Sequence, residues 1–333
     1  MKKIYTILVG ALVAFALTAC SATAPKAQAG IDDGQDIRIF TVANPDGKIT
    51  AATIEKAFED TGFVIDGNNN MNAPFKPRFG ATFYETYHLF TVHSSKHVLA
   101  LVKDYPNIGL LSPLSMSIYS NRDDDTSKGK TMSISGLTLR GMSRITGIPM
   151  DNPDLIAYSK LLKKALEKAL PGGHFKELNY EHIADMLIMH QTNFVAELGG
   201  ETEDEILEAK DDFEAEFEGE MEPIGFLFPG FVDFASEFDD AGYGGVYDYY
   251  DTYSVCKLDV IFPIHKDHPE VGAFAPCTFY IYKKKGEAKT YMGYPAVQNW
   301  ISATDLDTEK EKTFDSLLEA EKLFQDTVNS IIE

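Results

Sequence analysis

The sequence is poor in the residues that most often announce a chemistry. Of 333 residues only three are cysteine and one is tryptophan, and Lys and Arg total 30 against 51 Asp and Glu. No Cys-x-x-Cys spacing occurs, which speaks against a redox-active pair. Also missing are a Gly-x-Ser-x-Gly elbow, a phosphate loop, a His-Glu-x-x-His helix and a dinucleotide fingerprint, while the carboxylates are too numerous to single out an acid-base pair. The shortage of basic charge leaves a formal net of −21, a surface that repels phosphate backbones and excludes nucleic acid as a partner. After the first 19 residues no apolar run approaches the roughly 20 residues a spanning helix needs.

What the chain does have starts at its N-terminus. Lys2 and Lys3 precede an apolar run from Ile4 to Ala16, and Leu17-Thr18-Ala19-Cys20 reads as a bacterial lipobox. The expectation is a signal peptide over 1–19, acyl chains on Cys20 and a flexible Ala-, Ser-, Thr-, Gln- and Gly-rich tether over 20–36. The membrane is then a partner through lipid alone. Ser21 after the lipidated cysteine points to the outer membrane, facing the periplasm.

Past the tether the chain repeats itself. Tyr84 to Phe90 resembles Tyr250 to Cys256, Asp104 to Gly109 resembles Asp267 to Gly272, Ser112 to Tyr119 resembles Ala275 to Tyr282, and Lys130-Thr131-Met132 resembles Lys289 to Met292. The order is the same in both halves, so we read a first repeat domain over 37–172 and a second over 173–333, divided near Pro171-Gly172-Gly173. Apolar alternation and helix periodicity give each the order β-α-β-β-β-β-α, closing on a long helix from Pro153 to Leu170 and from Glu309 to Ile332. The fold class expected is α+β, two tandem domains with antiparallel sheets and helices packed on one face.

The segments Ile49 to Asn72, Pro113 to Tyr119 with Gly129-Lys130-Thr131, Pro276 to Tyr282 and Lys289 to Trp300 resemble the bacterial family catalogued as domain of unknown function 302. That resemblance implies a TATA-binding-protein-like α+β fold and no catalytic residue.

With Cys20 lipidated, Cys256 and Cys277 remain. The repeat sets Cys256 against Phe90 and Cys277 against Leu114, two apolar positions on consecutive strands. Either a structural disulfide or two buried free thiols follows. Asn68, Asn70 and Asn72 lie in a polar, turn-rich stretch, and Tyr243 and Tyr247 in a Gly- and Tyr-rich one. Both are candidate binding loops, the second equally readable as the rim of a sheet. His93 and His97 are spaced to share a helical face but lack a second ligand motif, so they are weak candidates for a metal. His182 and His190 fall on an expected helix from Tyr180 to Gln191. The twelve acidic residues from Glu201 to Glu222 read as a solvated helix face, because no calcium loop accompanies them. No cofactor is implied. The expected function is a non-enzymatic, lipid-anchored cell-envelope module that binds a small ligand or an envelope protein; the alternatives are a metal-assisted envelope enzyme and an assembly or scaffolding protein.

Overall fold

A computed structural model describes residues 35–125, 130–178, 191–242, 245–297, 299, 300, 304 and 313–333. The signal peptide, Cys20, Tyr243 and the expected helix with His182 and His190 lie outside the described residues. Among those described, no helix is long and apolar enough to cross a membrane.

The first half runs β1 (Ile37–Ala43), α1 (Ala51–Glu59), β2 (Val64–Asn70), α2 (Asn72–Phe79), β3 (Tyr87–His93), α3 (Ser95–Val102), a 3-10 turn (Pro106–Leu111), β4 (Leu114–Ser120), β5 (Thr131–Leu137), α4 (Leu139–Thr146), α5 (Pro153–Ala169) and the short β6 (His174–Lys176). The second runs β7 (Gln191–Ala196), α6 (Glu203–Met221), β8 (Leu227–Asp233), α7 (Phe234–Asp240), β9 (Tyr247–Cys256), α8 (Leu258–His265), a 3-10 turn (Pro269–Ala273), β10 (Cys277–Lys284), β11 (Thr290–Pro295) and α9 (Thr313–Ile332). Local chemistry sets the boundaries. Thr50 and Thr53 close a capping box on α1, Thr202 and Glu205 do the same for α6, and Asn152 caps α5 ahead of Pro153.

The fold is α+β: two antiparallel sheets with helices packed on them, ordered β2-β3-β4-β5-β1-β6 and β8-β9-β10-β11-β7. On the first sheet, α1 and α5 cover one face, with the Phe58 ring 5.1 Å from Phe90. On the second, α6 and α9 do so, with Phe217 packed 4.8 Å from Phe279 and 5.8 Å from Phe324.

The two sheets share more than order. Tyr87 pairs with Tyr119 and Phe90 with Met116, while Tyr250 pairs with Tyr282 and Tyr253 with Phe279. One offset (250 − 87 = 282 − 119 = 163) therefore relates the central strands, and it also matches Pro106 to Pro269 and the cis peptides before Pro113 and Pro276. The sequence pairing of Tyr84 with Tyr250 is thus three residues out of step; Tyr84 matches Tyr247. Closely spaced tyrosines on β9 let the motif slip onto the wrong one.

The opposite sheet faces meet through a reciprocal exchange of the 3-10 turns. Gly272 lies on Ser117 so closely that a Cβ there would stand 2.4 Å from the serine Cβ, and Gly109 lies on Tyr280, where the distance would be 2.6 Å. Ser115 donates to the Pro276 carbonyl (2.6 Å) and Thr278 to the Pro113 carbonyl (3.0 Å), again at matched positions.

Three further expectations are corrected. Gln35 and Asp36, expected in the tether, are buried, and the Asp36 carboxylate is 2.5 Å from Arg144. The boundary at 172/173 falls just before β6, which pairs with β1 and so belongs to the first sheet. The strand expected from Ser254 to Phe262 is displaced: β9 begins at Tyr247 and ends at Cys256, and Leu258 onward forms α8.

Candidate functional site

Cys256 and Cys277 are free thiols. The residue facing Cys277 across the ladder is Val255, so Cys256 is one step out of register with it, and the expected disulfide is absent. Cys256 matches His93, not Phe90, and burial pushes its thiol up to about 12, far from a nucleophile's range. Both cysteines border an apolar cavity of only about 50 Å³ in the second core, alongside Phe226, Trp300 and Phe324. It is too small for a ligand.

His93 and His97 do not converge. His93 Nδ1 is 2.8 Å from Asp66 and its Nε2 is 3.0 Å from Glu237, so carboxylates engage both ring nitrogens. Burial would depress this imidazole, but the two hydrogen-bonded carboxylates outweigh it and hold the ring protonated, pushed up to about 9. Asp66 belongs to the first half and Glu237 to α7 of the second, which makes the trio a latch across the seam. His97 turns instead to Ser94 (2.9 Å) and stacks on Tyr158 at 5.4 Å. No group of three or more His, Cys, Asp or Glu side chains among the described residues is arranged to hold a metal ion.

The Asn68, Asn70 and Asn72 stretch is not a loop, and of the second candidate loop Tyr247 lies in a strand. Asn68 and Asn70 belong to β2, and Asn72 opens α2, its amide donating to the carbonyls of Tyr84 and Glu85. Tyr247 begins β9, is buried, and donates to the Val102 carbonyl at 3.1 Å. Asn70 does border a groove of about 240 Å³ at the seam, with Leu227 and Cys256, whereas Asn68 lies elsewhere, beneath a larger opening.

That larger opening is the candidate site. It is a cavity of about 590 Å³ at one end of the helix-covered face of the first sheet. Thr86 and His88 of the β3 segment, Ser120 of β4 and Thr131 of β5 form its floor, and Gly47, Thr50 and Ala51 at the start of α1 form its wall. Its size suits a small molecule and its lining residues are mostly polar.

The floor is built to hold one histidine in one state. The Asn68 amide nitrogen donates to Glu55 (2.6 Å) and to the Ala51 carbonyl (3.3 Å). Its oxygen is therefore left as the acceptor for His88 Nδ1–H at 2.8 Å. The proton is assigned to Nδ1 by this network, and Nε2 is left as the lone-pair nitrogen. Burial holds the imidazole below its ordinary value, so it is neutral at pH 7. The two cations at the rim have partners already: Lys130 with Glu85 (3.3 Å), and Arg122 with Asp124 (2.8 Å) and Asp267 (2.6 Å).

In the second half the matched space is occupied. Thr86 becomes Tyr249, bonded to Thr290 at 2.5 Å, and Ser120 becomes Lys283, paired with Asp248. His88 becomes Asp251. Helix α6 has 19 residues against nine in α1; the helix ends match at the bonds Phe63 N–H to Phe58 O and Phe226 N–H to Met221 O. The extra turns therefore all lie at the N-terminal end, and from them Lys210 reaches Asp251 at 2.9 Å and Glu214 at 3.3 Å.

Sequence reasoning missed His88, Thr86 and Ser120. The signal was present: Pro106/Pro269, Gly109/Gly272 and Pro113/Pro276 share one offset, and extending it to β3 places His88 against Asp251 and Thr86 against Tyr249.

Fold and cavity together define a two-sheet α+β protein with a cavity in one half and the matched positions of the other filled by its own side chains. No family model matches the sequence, and no curated protein matches it. Among solved structures, it is similar to the crystal structure of an uncharacterised conserved protein, DUF302, from Bacillus stearothermophilus, at 13% identity over 43% of this chain and 94% of that one, with a TM-score of 0.31. A likeness at that score is too distant to bear on function.

Proposed function

We propose that the protein is a lipid-anchored cell-envelope module that binds a polar small molecule in the first-half cavity, the second half being a closed structural copy. One observation carries this: at matched positions of one strand framework, one half places Thr86, His88 and Ser120 around an opening of about 590 Å³ while the other places Tyr249, Asp251 and Lys283. A framework that can be filled so completely leaves the opening unexplained as a packing defect. The acylated Cys20, the outer-membrane location and the kinship with domain of unknown function 302 belong to the same proposal, supported by the lipobox and the quoted motifs. The binding reading is tested by screening small polar metabolites for stabilisation of the wild type and of Thr86→Tyr, which installs the side chain of the plugged half. Ligands that stabilise the former alone support it; stabilisation of both alike refutes it. Metabolic labelling with an alkyne fatty acid, lost in Cys20→Ala, tests the anchor.

A further inference from the structure

The plugged half shows which chemical group this framework accepts above the position of His88. There a primary ammonium, Lys210 Nζ, sits 2.9 Å from Asp251 Oδ2 and 3.3 Å from Glu214, on the side chain that takes the place of His88 in the strand register. The floor of the open half offers the same polarity by other means. Because the Glu55–Asn68 network fixes the His88 proton on Nδ1, the ring presents its lone pair at Nε2, an atom that receives hydrogen bonds and donates none. The rim cations Lys130 and Arg122 are paired with Glu85, Asp124 and Asp267. The excess of 51 acidic over 30 basic residues draws small cations toward the surface.

We propose that the cavity takes a small aliphatic primary amine, bound as its ammonium, which donates to His88 Nε2 where Lys210 Nζ meets Asp251 in the other half. The inference rests on reading the cavity as a binding site, and it adds the ligand class. A guest of this kind needs no metal or cofactor and forms no covalent bond. The rest of the lining carries the hydroxyls of Thr50 and Thr86 and the carboxylates of Glu85, Asp123 and Asp125.

The test is nitrogen-15 NMR of the histidine rings in the full chain, titrated with ethanolamine and putrescine and, as matched controls, with ethylene glycol and inorganic phosphate. The expected result is a saturable shift of the His88 Nε2 resonance with the amines alone. The apparent affinity should fall at least tenfold in His88→Gln, whose folding is checked by an unchanged thermal midpoint, and also in Thr86→Tyr. A second measurement does not depend on the open half: the destabilised Lys210→Ala variant should recover part of its thermal midpoint in ethylamine but not in ethanol. If glycol or phosphate shifts His88 while the amines do not, the amine class is overturned and the cavity stands as a binding site. If no probe reaches the His88 resonance, or if the amine response survives both His88→Gln and Thr86→Tyr, the proposal is overturned.

Discussion

The two halves set different side chains on the same strands, and the contrast separates what the fold requires from what it merely allows. Where the first half has Thr86, His88 and Ser120, the second has Tyr249, Asp251 and Lys283, yet the order of the five matched strands and the register of the central pair are unchanged. The positions that stay fixed are those at the seam: Gly109 with Gly272, Pro113 with Pro276, Ser115 with Thr278, and Tyr84, Tyr87 and Tyr119 with Tyr247, Tyr250 and Tyr282. The seam is thus held in common, and the helix-covered end of each sheet is free to diverge.

The contrast can be broken most forcefully at Lys210. Asp251 and Glu214 are both well buried beside it, and burial raises both carboxyls against the pull of the lysine. Lys210→Ala removes the compensating charge and should cost about 3–5 kcal/mol in denaturant unfolding, the range for orphaning a buried ion. His88→Ala, at the matched floor of the open half, should cost far less. Equal losses would show that the second half is not plugged as described.

The seam comes next. Gly272→Ala and Gly109→Ala each push a methyl into a contact of 2.4 and 2.6 Å respectively, so each should cost about 1–3 kcal/mol, and by similar amounts. A neutral effect at either site would break the reciprocity.

The latch sharpens the comparison by pH. The matched position of His93 is Cys256, which cannot titrate in the same way. With a folded value of about 9 against an ordinary 6.5, protonated His93 contributes stability that is fully present below 6.5 and lost as pH rises through 9. His93→Gln should remove that decline from the denaturation midpoint, whereas Cys256→Ser should leave it. The smallest effect is expected at the helix starts. Thr50→Ala and Thr202→Ala each remove one capping box and should cost about 1 kcal/mol, read from thermal midpoints. Thr50→Ala should also weaken binding in the cavity it borders, and Thr202→Ala should not.

Much of the architecture was legible before any coordinates. The five matched strands of each half and the long helix that closes each are local patterns, and local patterns survive folding, whereas α2, α3 and α4 in the first half and α7 and α8 in the second interrupt the expected β-α-β-β-β-β-α order. The site was less legible because it depends on register. Tyrosines on β9 at three-residue spacing (Tyr247, Tyr250, Tyr253) let the repeat be aligned one motif too far. That slip hid the match of His88 with Asp251 and set the two cysteines face to face when Val255 faces Cys277. The asparagine run from Asn68 to Asn72 carries turn propensity in sequence, but its first residues are held in β2 by pairing with β3, a tertiary effect that propensity does not contain.

The exchange of 3-10 turns has an outcome for anyone who would divide the gene. Each polypeptide arm buries the other's bare sheet face with a segment it cannot use for itself. Severing the chain between Leu178 and Gln191 should therefore yield two fragments that aggregate when made singly and reassemble when produced together. That would make the molecule a natural scaffold for split-protein complementation.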